Sequence, residues 1–299
     1  MQPLVSIITV NYNQTLVTLE LLASLKMLSY TNYEVIIVDN ASRENPETHV
    51  KEQFPEMNIR VISSKVNLGF AGGNNLGIKE SKGKYLFFVN NDIEITSDAI
   101  ERILEVFATY PEAGAVSPKF HYYFHPNLIE YAGYNPVSIY TAKNTPVGGH
   151  EIDRGQYEEI SETHYAHGGG MCVPRNVIEQ VGMWPEVFFL YYEEFDWCEQ
   201  IKKAGYKIYY QPKATIFHKE SLTVGKGSLL KTYYLTRSRI LFMRRNRSIS
   251  KFLVFLAYFT CFTIPKNLFV FVKNREFLHI KAFSKAIFWN LGFNQVHKA

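Results

Sequence analysis

Asn90, Asn91 and Asp92 stand directly after an apolar run, Tyr85-Leu-Phe-Phe-Val89. A run that short, aromatic and uninterrupted reads as a strand buried on both faces. The polar triplet then falls where the strand leaves its sheet, and in open α/β sheets that carboxyl edge is where ligands bind. A carboxylate and two amide oxygens suit a hard divalent cation, Mg²⁺ or Mn²⁺. An Asx turn would use the same residues.

Glu194 is a second candidate. The segment Phe188–Cys198 opens a helix expected to run to about Ala204, with Gly205 placed to end it. On that helix Glu194, Trp197, Cys198 and Ile201 share one face, and only Glu194 is not apolar. An inward carboxylate needs a partner or a task. It is either a general base or a buried structural residue. Burial raises its pKa while the helix terminus and a nearby cation lower it, so it is expected to be mostly ionised near neutral pH. Glu193 and Asp196 point elsewhere and read as acidic residues favoured by the helix dipole. His218 ends an apolar strand, as a ligand or as a structural histidine. Asp39 closes another strand beside Asn40, as a ribose or base contact or as a turn residue.

Strands are expected over Leu4–Val10, Tyr33–Asp39, Ile59–Ser63, Tyr85–Val89, Tyr206–Tyr210 and Ala214–His218. Helices are expected over Thr15–Leu28, Ala71–Ser81 and Ser97–Tyr110, with Ser97 in the cap position. The alternation predicts an α/β fold with a mostly parallel open sheet and helices on both faces. The dinucleotide glycine fingerprint is missing after the first strand, and no Walker-type phosphate loop occurs. Asn67-Leu-Gly-Phe-Ala-Gly-Gly-Asn-Asn-Leu-Gly77 instead gathers glycines and asparagines around a helix start. Such a start can accept phosphate or pack tightly on the sheet. Phe120–Thr163 has weak periodicity and reads as an irregular cleft-lining insertion. His167-Gly-Gly-Gly170 permits unusual backbone angles beside a sugar, or a plain bulge.

The 299 residues are 46% hydrophobic, enough for one substantial core and an appendage. Cys172, Cys198 and Cys261 have neither metal-ligand nor redox spacing, which fits reduced thiols in a cytoplasmic setting. Met1–Val10 lacks the pattern of a signal peptide. Charge is divided unevenly: residues 1–201 hold 13 Lys+Arg against 26 Asp+Glu, and residues 202–299 hold 19 against 2. A basic final third suits an anionic partner. With no zinc-finger or RNP-type motif, nucleic acid is not expected.

Seven stretches in order, Val5–Asn13, Val35–Ser42, Asn67–Gly77, Phe87–Asp92, Gly168–Val173, Phe188–Gln200 and Ala214–Ser221, resemble the family 2 glycosyltransferases of the GT-A fold. The nearest group is the bacterial rhamnosyltransferase type. The resemblance implies inverting transfer from a nucleotide-diphosphate sugar, dTDP-rhamnose or a UDP-sugar. The acceptor would be a glycan or polyprenol-linked molecule in surface polysaccharide synthesis. It implies donor contacts at Thr9, Asn11, Asp39, Asn67, Gly72, Asn75 and Asn91. Asp92, Asn90 and His218 match the metal site, Glu194 the base, and Gly169, Gly170 and Trp184 the acceptor side. Asn90 departs from the first Asp of the D-x-D motif, Glu194 from the commoner Asp, and Gln200 from a common Arg. A sugar-1-phosphate nucleotidyltransferase would share the sheet but carry a glycine-rich basic loop after the first strand. A non-catalytic sugar-binding protein would lose the base.

A GT-A domain is expected over 1–225, with a donor half of about 1–118 and an acceptor half of about 119–225. A basic, hydrophobic helical extension follows over 226–299. Phe252–Val272 is nearly all apolar but broken by Pro265-Lys266-Asn267, which predicts an interfacial hairpin or amphipathic helix rather than a span. Lys251, Lys266, Lys273, Arg275, Lys281 and Lys285 around it suit an anionic membrane surface. The expected location is cytoplasmic, peripheral at the inner face of the cell membrane.

Overall fold

The computed structural model describes residues 2–219 and 227–292. The elements run β1 (Val5–Asn11), α1 (Thr15–Leu25), β2 (Tyr33–Asp39), α2 (Glu47–Gln53), β3 (Ile59–Ser63), α3 (Gly69–Glu80) and β4 (Tyr85–Val89). There follow β5 (Ile93–Ile95), α4 (Ala99–Thr109), β6 (Ala113–Tyr122), β7 (His125–Tyr131), β8 (Ser161–Glu162), β9 (Gly170–Pro174), α5 (Arg175–Val181), α6 (Glu193–Lys203) and β10 (Lys207–His218). Four further helices close the described chain: α7 (Leu229–Asn246), α8 (Ile249–Tyr258), α9 (Ile264–Lys273) and α10 (Phe277–Gly292).

The central strands are apolar on both faces, and the packing shows why. Ile7, Val35, Ile37, Phe87 and Val89 face one hydrophobic cluster with α1 and α4. Their neighbours Ile8, Ile36, Val38, Leu86 and Phe88 face a second cluster with α3, α5 and α6. Alternate residues of a strand point to opposite faces, so a strand with helices on both sides has no polar position to spare. The sheet order is β3-β2-β1-β4-β9-β6-β10-β5. β1 to β4 pair in parallel, β9 runs antiparallel between β4 and β6, and β10 is parallel to β6. The carboxyl ends of β1, β2, β4, β6 and β10 therefore share one edge.

Four local expectations change. Asp98, not Ser97, occupies the N-cap position of α4, with no side-chain cap bond. The carbonyl of Ser97 is bonded to the backbone and hydroxyl of Ser29 instead. The two strands expected around 206–218 are one strand, β10, with a register shift between Gln211 and Thr215 that absorbs Pro212. The expected irregular insertion is partly a sheet extension. β6 runs on to Tyr122, hairpins into β7, and buries Lys119 between Asp153 and Glu158. Pro265 does not interrupt its helix: Ile249–Lys273 is continuous over 25 residues, with a π-turn at Phe259–Thr263 just ahead of the proline. A wider turn there relieves the clash and missing donor that proline brings. The chain reverses later, after Lys273, where Arg275 has φ +59°, and α10 packs back on α7 and α9.

The basic helices are fastened to the body. The Arg245 guanidinium on α7 makes hydrogen bonds of 3.0 and 3.2 Å to both oxygens of Asp196 on α6, and Arg247 lies 3.2 Å from Glu199. The expected 225/226 boundary and the last two residues of the Ala214–Ser221 stretch lie outside the described residues.

Candidate active site

Asn90, Asn91 and Asp92 form the turn that carries the chain from β4 to β5. The Asn90 backbone N–H donates to the carbonyl of Gly169 at 3.0 Å, and the Asn91 side chain donates to Thr18 at 3.1 Å. β5 pairs with the end of β10 so that Ile93 lies opposite His218. That register brings Asp92 beside a residue far along the chain. His218 Nε2 is 3.3 Å from Asp92 Oδ1, an ion-pair distance that is not aligned as a hydrogen bond, so the buried Oδ1 has no hydrogen-bond partner. The other ring nitrogen, Nδ1, is 2.9 Å from both carboxylate oxygens of Glu130 on β7. His167 completes the group, its Nε2 3.7 Å from Glu130 and its Nδ1 accepting the Gly169 amide at 3.1 Å.

Burial would depress the His218 imidazole, but the Asp92 and Glu130 carboxylates outweigh it and raise it to about 10. Burial would raise both carboxyls, yet His218 holds each below the usual range. His167 is pushed down to about 4, mainly by burial, and is neutral. Among the described residues no group of three or more His, Cys, Asp or Glu side chains is arranged to hold a metal ion by itself. A cation at Asp92 and His218 would leave coordination positions for phosphate and water, the usual pattern for Mg²⁺.

The second half of the site is the start of α6. Tyr191 and Tyr192, immediately before it, both have positive φ, +66° and +74°. This sparsely populated backbone is one that only surrounding structure can enforce. It aims the first turn of α6 inward. Glu193 and Asp196, read from the sequence as acidic residues favoured by the helix dipole, are both inside the protein: Glu193 is 4% exposed and Asp196 fully buried. Asp196 meets Arg245; Glu193 Oε2 has no hydrogen-bond partner. Half-buried Glu194 faces Gly168, where an added Cβ would lie 3.4 Å from its Cβ and Cγ. A Cβ on Gly169 would lie 3.2 Å from the Asn90 amide nitrogen. The glycine pair is thus the thin partition that lets Glu194 and the Asn90–Asp92 turn approach each other. Burial raises Glu194 to about 7, against the pull of the first-turn amides, so it is about half ionised at neutral pH rather than mostly ionised. Burial and the charge of Glu194 push Glu193 well above the usual range.

A cleft of about 410 Å³ joins the two halves, lined among others by Asn67, Asn90, Asn91, Asp92, Gly169, Glu194 and His218. That volume is in the range of small-ligand sites. Other expected residues lie behind it. Asp39 accepts a 3.0 Å hydrogen bond from Asn11, and both are buried at the ends of β2 and β1. Thr9 is fully buried, its hydroxyl without a partner. Four expected site residues, Asn75, Trp184, Gly72 and Gly170, are displaced into packing roles. The Asn75 amide accepts from the Trp184 backbone N–H at 2.9 Å and donates to its carbonyl at 2.9 Å. Trp184, expected on the acceptor side, is 2% exposed in the core against Phe88 and Trp197. A Cβ on Gly72 would meet Leu68, and one on Gly170 would meet Ile216 and Phe120. These glycines therefore serve close packing.

Lining residues with no role assigned from the sequence include Asn40, Tyr134, Phe189, Tyr191 and Leu230. Asn40 ties the end of β2 to the glycine-rich loop, donating to Asn67 and to the carbonyl of Gly69 while accepting from Leu68. Its adjacency to Asp39 was the available signal. Glu130, behind the cleft, had none.

The profile of Glycosyl transferase family 2 matches residues 6–181. That stretch contains the Asn90–Asp92 turn but ends before Glu194 and His218. The chain is 25% identical over 182 residues to a low-salt glycan biosynthesis hexosyltransferase, Agl10, of Haloferax volcanii, covering 58% of this chain and 55% of that protein. It is 23% identical over 225 residues to an N-acetylglucosaminyl-diphospho-decaprenol L-rhamnosyltransferase of Mycobacterium tuberculosis, covering 69% and 72%. It thus spans about half the length of the archaeal relative. The fold matches mannosyltransferase PcManGT from Pyrobaculum calidifontis in complex with GDP-Man and Mn²⁺, with TM-score 0.62, 14% identity and coverage of 99% and 89%. It also matches S. aureus TarS in complex with UDP-GlcNAc, with TM-score 0.61, 16% identity and coverage of 95% and 80%. These likenesses establish the GT-A fold.

Proposed function

The chain belongs to glycosyl transferase family 2, and from that premise we propose that it moves a sugar from a nucleotide-diphosphate sugar to a hydroxyl of a glycan or lipid-linked acceptor. The transfer is a single displacement that inverts the anomeric centre. The observation that carries this reading is that Asp92, His218 and Glu194 line one cleft at the carboxyl edge of the sheet.

Asp39 and Asn11, with Thr9, back the nucleoside end from behind the cleft; Asn67 and Asn91, which line it, lie between that end and the sugar. Asp92, His218 and the Asn90 amide oxygen would hold Mg²⁺ or Mn²⁺. Asp92 Oδ1, buried, without a hydrogen bond and 3.3 Å from the His218 imidazole, supports that fit. The cation supplies stabilisation of negative charge on the departing diphosphate. Glu194 takes the proton of the acceptor hydroxyl as its oxygen bonds to the anomeric carbon, and the bond from that carbon to the diphosphate breaks on the opposite face. A pKa of about 7 leaves Glu194 both ionised and basic enough for that step. Glu193, kept neutral, adds no competing charge. The donor type is dTDP-rhamnose or a UDP-sugar, a reading the rhamnosyltransferase relative favours. Incubation with a panel of nucleotide sugars and Mn²⁺, followed by product analysis, tests it; turnover of none would refute it.

The acidic body, residues 1–225, carries this chemistry, and the basic extension attaches it to the cytoplasmic face of the membrane. The Ile249–Lys273 helix is only 11% buried over its most apolar window, with Phe262 and Phe269 more than three-fifths exposed. At about 37 Å it is long enough to span. Lys266 in its second half and the return of α10 along it favour an orientation in the interface, held by apolar burial and anionic headgroups. Such a placement would suit cell-envelope polysaccharide synthesis on a polyprenol-linked acceptor.

A further inference from the structure

The turn after β4 carries one carboxylate where an acidic pair would carry two, because Asn90 stands at the first position. A cation held by Asp92, Asn90 and His218 would have a single full negative charge beside it. Glu130 sits one hydrogen bond further out. Its two oxygens are 2.9 Å from His218 Nδ1, and Oε1 is 3.7 Å from His167 Nε2. The side chains of Asp92, His218 and Glu130 are 7%, 9% and 14% exposed, so charge among them is weakly screened by water. Nothing local in the sequence marks Glu130. It arrives because β7 hairpins back on β6, placing the residue after Ile129 beside the end of β10.

We infer that Glu130 is the positioning carboxylate of the cation site: it fixes the ring and tautomer of His218 and supplies, through the imidazole, the negative charge that Asn90 does not. With Nδ1–H donated to Glu130, Nε2 is the ring nitrogen that faces Asp92, and a bound cation would take the place of the proton that Nε2 carries in the cation-free protein. Carboxylates behind ligating histidines act in this way, raising ligand basicity, and their loss typically costs 10–100-fold in metal affinity. Asp92 and Glu130 together then supply two carboxylates, making up for the one that the triplet lacks. The inference rests on the proposed cation at Asp92 and His218.

The experiment measures Mn²⁺ binding to the full chain by electron paramagnetic resonance, with the imidazole-nitrogen coupling of the bound ion as a second readout. Glu130→Gln keeps the length and removes the charge; Glu130→Asp keeps the charge and loses a methylene. Wild type binds Mn²⁺ with one imidazole coupling. Glu130→Gln binds it about 10–100-fold more weakly, and Glu130→Asp falls between the two. Adding Asn90→Asp to Glu130→Gln recovers a large part of the loss. Glu130→Gln binding within twofold of wild type overturns the inference while leaving the cation in place. So does Glu130→Asp binding more weakly than Glu130→Gln, since only a packing role ranks them so. Wild type without Mn²⁺ binding, or without the imidazole coupling, overturns the cation reading itself. Should Glu130→Gln not fold, the comparison of wild type with Glu130→Asp decides: a drop below wild type with the imidazole coupling weakened supports the inference, and unchanged affinity and coupling overturn it.

Discussion

Replacing Glu194 with Gln should lower turnover and raise stability together, and both effects follow from its buried carboxyl. Glutamine keeps the shape but cannot accept a proton. A positioned base contributes about 10²–10⁴-fold, so kcat should fall by at least 10²-fold. The stability effect comes from the same pKa. Folding raises the Glu194 carboxyl from 4.5 to about 7. The folded state therefore binds more protons than the unfolded chain between those values, and stability falls as pH rises through that window. About 2.5 units at 1.36 kcal/mol each puts the full cost near 3 kcal/mol above pH 7, as an upper value. Glu193, Tyr134 and Tyr191 face this carboxylate and lose a charged neighbour in the variant. Glu194→Gln should match wild type in thermal unfolding near pH 4.5 and exceed it by up to about 3 kcal/mol at pH 8. Wild-type kcat should rise with pH around an apparent pKa near 7, and the residual rate of the variant should not. Turnover within tenfold of wild type, or a stability difference independent of pH, would refute the reasoning.

Asp92→Ala should abolish the Mn²⁺ dependence of donor binding in calorimetric titration, leaving the weaker metal-free affinity. Gly69→Ala should cost about 1–3 kcal/mol and loosen the donor loop. Its φ is +73° and the new Cβ would lie 2.2 Å from the Phe189 carbonyl oxygen; melting temperature and donor affinity check both. Asp196→Ala should destabilise by about 3–5 kcal/mol in denaturant unfolding, because Arg245 and Asn246 lose their buried partner. Phe262→Asp with Phe269→Asp should release the protein from anionic phospholipid vesicles in a sedimentation assay while leaving soluble-acceptor turnover intact. Unchanged sedimentation would place the membrane contact elsewhere.

The donor side of the fold was legible because its strands are continuous apolar runs, each closed by polar residues. Apolar runs of that kind are what a two-faced sheet requires, and the β1, β2 and β4 ends emerged from them directly. The acceptor side was legible only in pieces. β10 looked like two strands because Pro212 breaks the run, and only pairing with β6 shows the register shift that joins them. Glu130 was invisible because its place depends on a hairpin that leaves no periodic trace. Glu193 and Asp196 were misjudged since helical spacing measures direction around α6 alone. Packing of α7 against it, through Arg245 and Arg237, turns the opposite face into interior as well. Pro265 was read as a break because a π-turn ahead of a proline has no sequence signature of its own.

The central claim is that one cleft holds a cation beside a leaving diphosphate and a base across from it. The most direct measurement is the anomeric configuration of the product by proton NMR, in transfer reactions run with Mn²⁺ and the donor the chain accepts. The account predicts an inverted anomer, lost in Glu194→Gln although donor and Mn²⁺ still bind. A retained configuration, or full transfer by that variant, would contradict it.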